Sequence, residues 1–172
     1  MTTLKFMKLL MSLLLGSLFF TNVHAIDYQT TVPWTKNNDG SAGVAYSKEY
    51  SEEIKIFEAS INHSKSGNQR LYFNDLYIED INSCKYKTST PDSTTIVFNG
   101  QAVKMLRWCK KFANADKYYY ELTPETDRGE SYVINIFKVA TSPIEIQYDN
   151  ETLYFPVIGF TKAWNSAGGN AI

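Results

Sequence analysis

The residues of this 172-residue chain best equipped for chemistry are few: two cysteines, Cys84 and Cys109, and two histidines, His24 and His63. A structural zinc site takes about four Cys or His ligands, and a catalytic one about three protein ligands drawn largely from His. This inventory therefore points to no metal site, and no motif points to a cofactor. His63 lies in Ile61-Asn62-His63-Ser64-Lys65-Ser66-Gly67-Asn68, a polar, turn-like stretch. A histidine base needs a nucleophile and an orienting third group within hydrogen-bond reach. No motif supplies them, so His63 reads as a solvated loop residue. Asp75, Glu79 and Asp80 could form a carboxylate set for glycosidase-like acid–base chemistry. On an extended strand, however, Asp75 and Glu79 share one face and Asp80 takes the other, which fits exposed strand charges better.

The cysteines gain meaning from the N-terminus. Lys5 and Lys8 precede a mostly apolar run from Leu9 to Phe20, and Val23-His24-Ala25 offers small residues for cleavage before Ile26. These are the three parts of a secretory signal, so residues 1–25 are expected to be removed and the product exported to the periplasm or the medium. Twelve residues are fewer than the roughly 20 that span a bilayer, and no second apolar span follows, so the mature chain should be soluble. It carries 15 basic and 18 acidic residues, a net charge of −3, and it retains one histidine, His63. In an oxidising compartment its two cysteines should pair. Closing a loop of that size adds roughly 3.5 kcal/mol.

Between the cysteines lies the clearest local signal. Thr94 to Phe98, then Asn99-Gly100, then Gln101 to Leu106 reads as a two-residue hairpin, because Asn-Gly tolerates positive φ at both central positions of a type I′ turn. That register sets Cys109 against Thr90, so the disulfide should join the hairpin's second arm to a different strand carrying Asn82 to Lys87. Lys85 and Lys87 flank one cysteine, and Arg107, Lys110 and Lys111 flank the other. Closing the bridge would gather these cations with Trp108 and Tyr86 into a patch suited to an acidic protein or an anionic envelope component. Nucleic acid is the least expected anion, because no binding motif accompanies the cluster. The alternative is a solvated face whose cations are neutralised by Glu79, Asp80 and Asp116.

The surrounding elements read as mainly β, with α+β as the variant: a small single domain of short antiparallel strands, a sandwich or meander, with one or two short helices and one disulfide. Residues 26–43 suggest a loose arm or edge strand, 44–164 the β-rich domain and 165–172 a frayed tail. Glu53 to Ile61 alternates with a slip at Phe57, as a bulge or a short helix would produce. Arg70 to Ile81 slips near Asn74-Asp75. Lys117 to Leu122, Ser131 to Val139, Ile144 to Tyr148 and Leu153 to Phe155 are β-branched and aromatic runs at strand-like spacing. Thr123 to Gly129 reads as a turn, and Phe160 to Trp164 as a helical turn ended by Gly168-Gly169. Asn62-His63-Ser64 and Asn150-Glu151-Thr152 fit the glycosylation acceptor pattern, which has meaning only in some kingdoms.

Function classes follow by elimination. The leading expectation is an exported, non-enzymatic protein that binds a macromolecule, as an inhibitor, immunity or exclusion factor. Trp108, Tyr118 and Tyr120 would serve as anchors, and Lys85, Lys87, Arg107 and Lys111 would steer an acidic partner. The alternatives are a cell-surface assembly subunit working through a sheet edge, and a small carboxylate-dependent hydrolase.

Overall fold

The computed structural model describes residues 28–34, 40–47, 55–76, 84–85 and 90–171. The expected leader 1–25 lies outside the described residues, as do Lys87, Tyr86, Glu79 and Asp80. The described chain is mostly antiparallel β. Its strands are β1 (Tyr28–Val32), β2 (Ser41–Ser47), β3 (Lys55–His63), β4 (Gln69–Asp75), β5 (Asp92–Phe98), β6 (Gln101–Lys111), β7 (Tyr118–Pro124), β8 (Ile144–Tyr148) and β9 (Glu151–Phe155). Helix α1 (Asp127–Val139) follows β7, and α2 (Phe160–Ser166) follows β9. No described helix is long and apolar enough to cross a membrane.

The strands form one nine-stranded sheet in the order β1-β2-β3-β4-β7-β6-β5-β8-β9, every neighbouring pair antiparallel. The sheet coils until its edges nearly meet. Gln29 on β1 reaches across to β9, its Nε2 donating to the Thr152 carbonyl (2.9 Å) and its Oε1 accepting from Tyr154 N–H (3.0 Å). Just beyond it Trp34 ties the same edges, its backbone N–H donating to the Ile158 carbonyl (3.1 Å) and its indole N–H to the Pro156 carbonyl (2.9 Å).

Alternation fixes which side chains look inward. Phe57, Ala59 and Ile61 on β3 are buried while Ile56 stands 43% exposed on the convex face. The apparent slip at Phe57 is therefore no bulge: an apolar Ile simply occupies an outward position. Asn99 (φ 47°) and Gly100 (φ 82°) form the expected turn, and Asp92 faces Arg107 in the expected register. Asp149 and Asn150 (φ 50° and 62°) make the same kind of two-residue turn between β8 and β9 without any glycine.

Ser131 to Val139 is helical, not the expected strand. Thr126 caps α1, its Oγ1 accepting from Gly129 N–H (3.1 Å), and Asp127 and Glu130 lie in the first turn, where acidic groups favour the helix N-terminus. Val133 and Phe137, four residues apart, bury against the concave side of the sheet. Phe137 contacts Trp34, Phe73, Phe155 and Phe160 at ring-centroid distances of 5.0–6.3 Å. Gly129 leaves room for this approach: a Cβ there would sit 3.1 Å from a Val103 methyl and 3.2 Å from Thr126 Oγ1. Helix α1 thereby fills one end of the concave face.

The residues after α2, expected to fray, are held to β3 and β4. His63 Nε2 meets the Gly169 carbonyl (2.7 Å), Gly169 N–H donates to Gln69 Oε1 (2.7 Å), and Ala171 N–H donates to the Gly67 carbonyl (2.9 Å). His63 itself ends β3, exposed but tied.

Candidate functional site

Two connections break the meander, β4 to β5 and, through α1, β7 to β8. The link 76–91 leaves β4 at Asp75 and enters β5 at Asp92, with β7 and β6 between those two strands in the sheet. Cys84, on that link, is disulfide-bonded to Cys109 on β6, with the Cα atoms 5.5 Å apart and both sulfurs' residues buried. The bridge joins the hairpin to a distant segment, as the register implied. At Cys84-Lys85, however, that segment is a helical turn and not a strand.

The residues expected to cluster around this bridge divide between two faces. On β6, Val103, Met105, Arg107 and Cys109 point to the concave side, whereas Leu106, Trp108 and Lys110 point to the convex side. Across the β6–β7 ladder, Tyr120 faces Cys109 and Tyr118 faces Lys111, while Glu121 faces Trp108 and Tyr119 faces Lys110. Trp108 therefore cannot share a contact surface with Tyr118 and Tyr120. Tyr120 packs partly buried against the core, and the Arg107 guanidinium lies 4.5 Å from its ring centroid.

The cations expected at the bridge are, where described, paired. Arg107 forms a two-pronged bridge to Asp92, with Nε–Oδ1 and Nη2–Oδ2 both 2.8 Å. Lys111 and Lys85 share Asp116 at 3.0 and 4.0 Å, and Lys110 pairs with Glu121 at 3.2 Å. The hydrogen bond to Asp116 raises the Lys111 ammonium above its usual range, and Lys111 in turn holds the Asp116 carboxyl below its own. Arg107 is moreover a concave-face residue whose side chain is only 23% exposed. Of the described steering cations, Lys85 and Lys111 lie at the surface, both beside the Asp116 carboxylate.

Two arrangements emerge that the sequence reading did not single out. The first is a polar end to the concave face, opposite α1. Beside Arg107 and Asp92 stands Tyr148, buried, its phenol pushed up to about 12 chiefly by burial, with the Arg107 guanidinium opposing that rise. The Tyr148 ring packs on Phe57 at 5.7 Å, and Lys55 pairs with Glu151 at 3.2 Å with both side chains facing inward. Asp75 faces Tyr120 in this group and acts electrostatically on Tyr148. Asp75 is thus an inward, half-buried partner and not an exposed strand charge. Among the described residues, no three His, Cys, Asp or Glu side chains converge as metal ligands would.

The second arrangement is a row of rings on the convex face of β6 and β7. Trp108 and Phe112 lie four residues apart along one side of the chain, and Phe112 contacts Tyr119 at 4.8 Å. All three are half-buried. The clue was available in the spacing Trp108-x-Lys110-x-Phe112, which places three residues on one face of a long strand. Compared with known proteins, the chain matches no family model, no curated protein and no solved structure.

Proposed function

We propose that this chain is an exported, soluble, non-enzymatic protein that engages a macromolecular partner through the convex face of the β6–β7 hairpin, as an inhibitor, immunity or exclusion factor does. The observation that carries this reading is the row of Trp108, Phe112 and Tyr119, aligned on one face and partly open to solvent. Rigid rings give contact area at little entropic cost, and a few such anchors dominate most interfaces. Lys110 and Glu121 flank the row as an ion pair, supplying a polar rim.

Long-range steering by cations contributes little to this reading. Asp116 partners both Lys85 and Lys111, so these three described side chains carry a net charge of only +1. The inward carboxylates suit a scaffold better than acid–base chemistry, since Asp92 is held by Arg107 and Glu151 by Lys55. A general acid or base instead needs a proton poised near the working pH.

The test is affinity capture of the mature chain's partner from its own cell envelope or medium, run with paired variants. Trp108→Ala with Phe112→Ala should lose the partner, whereas Lys85→Glu with Lys111→Glu should keep it. Retention by the ring variant, or loss only in the charge variant, would overturn the assignment of the face.

A further inference from the structure

We infer that the end of the coiled sheet closed by α1 and α2 docks on an anionic membrane surface, with the Cys84–Cys109 end pointing away from it. Helix α1 enters this end from β7 and leaves it to β8, and α2 follows β9. Phe137 of α1 packs on Phe160 of α2 at 5.0 Å, so the two helices share one apolar floor. The turn between β3 and β4 belongs to the same end, because Gly67 is bonded to Ala171 and Gln69 to Gly169.

What this end shows to solvent is apolar and cationic. Val139 closes α1 and Ile158 lies in the turn before α2. They stand 65% and 70% exposed, the most exposed large hydrophobic side chains among the described residues. The Lys138 ammonium lies 5.5 Å from the centroid of the half-buried Trp164 ring. Aliphatic tips, an indole and lysines with long apolar stems are the set that a lipid headgroup layer takes up. Lys162 on α2 and Lys65 on the β3–β4 turn are exposed as well. Among the described residues, none of these three lysines has a carboxylate partner.

Charge selects the occupant. No acid lies between Glu58 and Asp75, between Glu130 and Glu145, or after Glu151. The β3–β4 turn, the last two turns of α1 and all of α2 are therefore free of carboxylates on a chain that is acidic as a whole. Asp127 and Glu130 sit in the first turn of α1. At 1.5 Å per residue Asp127 is about 18 Å from Val139, beyond the screening length of about 8 Å at physiological salt. Glu145 is held on the convex face by Gln147. Unpaired lysines around protruding apolar tips complement acidic headgroups. Side chains this exposed, on a helix end and a turn, form knobs and no groove. A fluid headgroup layer receives knobs without the matching hollow that a folded partner would need. Trp108, Phe112 and Tyr119 lie toward the opposite end, where Lys111 faces Tyr118, so this inference does not rest on the ring row.

The probe is a vesicle of phosphatidylcholine mixed with phosphatidylglycerol, sedimented with the mature chain, and a second vesicle of phosphatidylcholine alone. The protein should bind the mixed vesicles, leave them as salt rises, and ignore the neutral ones. Lys138→Gln with Lys162→Gln should weaken binding roughly 30-fold, at about fivefold per lysine. Val139→Ser with Ile158→Ser should weaken it roughly tenfold or more and still melt as the wild type does, because both side chains are exposed. Lipid brominated on its acyl chains should quench the wild type and Trp108→Phe alike, and most of that quenching should vanish in Trp164→Phe. The inference is overturned if neither vesicle binds, if the neutral one binds equally, if both double variants bind as the wild type does, or if Trp108 is the ring quenched. Loss of a captured protein in these variants, with the vesicles ignored, would give the face to a protein and also overturn it. Trp108→Ala with Phe112→Ala should leave vesicle binding unchanged, which separates this result from the fate of the ring row.

Discussion

Arg107 gives the sharpest test of how the charges are arranged, because the sequence alone would place it on an outer patch. Its guanidinium meets both Asp92 oxygens at 2.8 Å, interacts electrostatically with Tyr148 and lies over Tyr120. Breaking a fully buried ion pair costs roughly 3–5 kcal/mol, and an exposed pair is worth roughly 0–1 kcal/mol. The side chains here are 23% and 38% exposed, so Arg107→Ala should cost about 2 kcal/mol, between those limits. For a domain of this size that is a fall in Tm of about 6 °C. Urea unfolding followed by tryptophan fluorescence would measure it. A cycle with Asp92→Ala should return a coupling of about 1 kcal/mol, the rest coming from Tyr148 and Tyr120. Lys85→Ala, whose partner is 4.0 Å away across exposed side chains, should change almost nothing. If Arg107→Ala and Lys85→Ala melt together, or if the cycle is additive, the inward placement of Arg107 is wrong.

Three further outcomes follow from the same geometry. Cys84→Ala with Cys109→Ala should lose roughly 3.5 kcal/mol of stability, the closure entropy of a loop of this length, read as a shifted denaturation midpoint. Because both cysteines are buried, reductant and alkylating agent together should modify neither sulfur until denaturant is added, as intact mass would show. The Tyr148 phenol sits at about 12 in the fold, above the ordinary value near 10. Its stabilising contribution is therefore complete below about pH 10 and lost as pH rises toward 12. Tyr148→Phe should flatten that alkaline decline in a melting series, and an identical decline in the variant would refute the burial argument.

Much of the architecture was readable from local chemistry. Asn99-Gly100 sets a turn that few other pairs can adopt, and that turn dictates the register of every rung from Phe98–Gln101 to Asp92–Arg107. The pairing of Cys84 with Cys109 followed from there being no other cysteine to choose. The helix over Asp127–Val139 is not legible locally because Tyr132 to Phe137 is a short run of β-branched and aromatic residues, the composition of a strand. Its cap at Thr126 and the first-turn acids were present in the chain but looked like turn residues. Only docking of Val133 and Phe137 together on the concave core favours the helix, since period-2 and period-3.6 patterns overlap in so short a run.

The candidate surfaces depended on what no single segment contains. Alternation announces that Trp108 and Arg107 point opposite ways, yet it cannot say which of the two faces the core. That choice is made when the sheet coils and α1 enters its hollow, sending Arg107 inward to Asp92 and Tyr148 and leaving Trp108 beside Phe112 and Tyr119 outside. The meeting of β1 with β9 is likewise a property of the whole: more than a hundred residues separate Gln29 from Thr152, and the sum of twist over every intervening strand alone brings them together. Local sequence set the turns, the strand periods and the covalent bridge, because those depend on neighbouring residues and on cysteine count. The tertiary structure decided inside from outside and edge from edge, because burial and closure are settled only by all the strands at once.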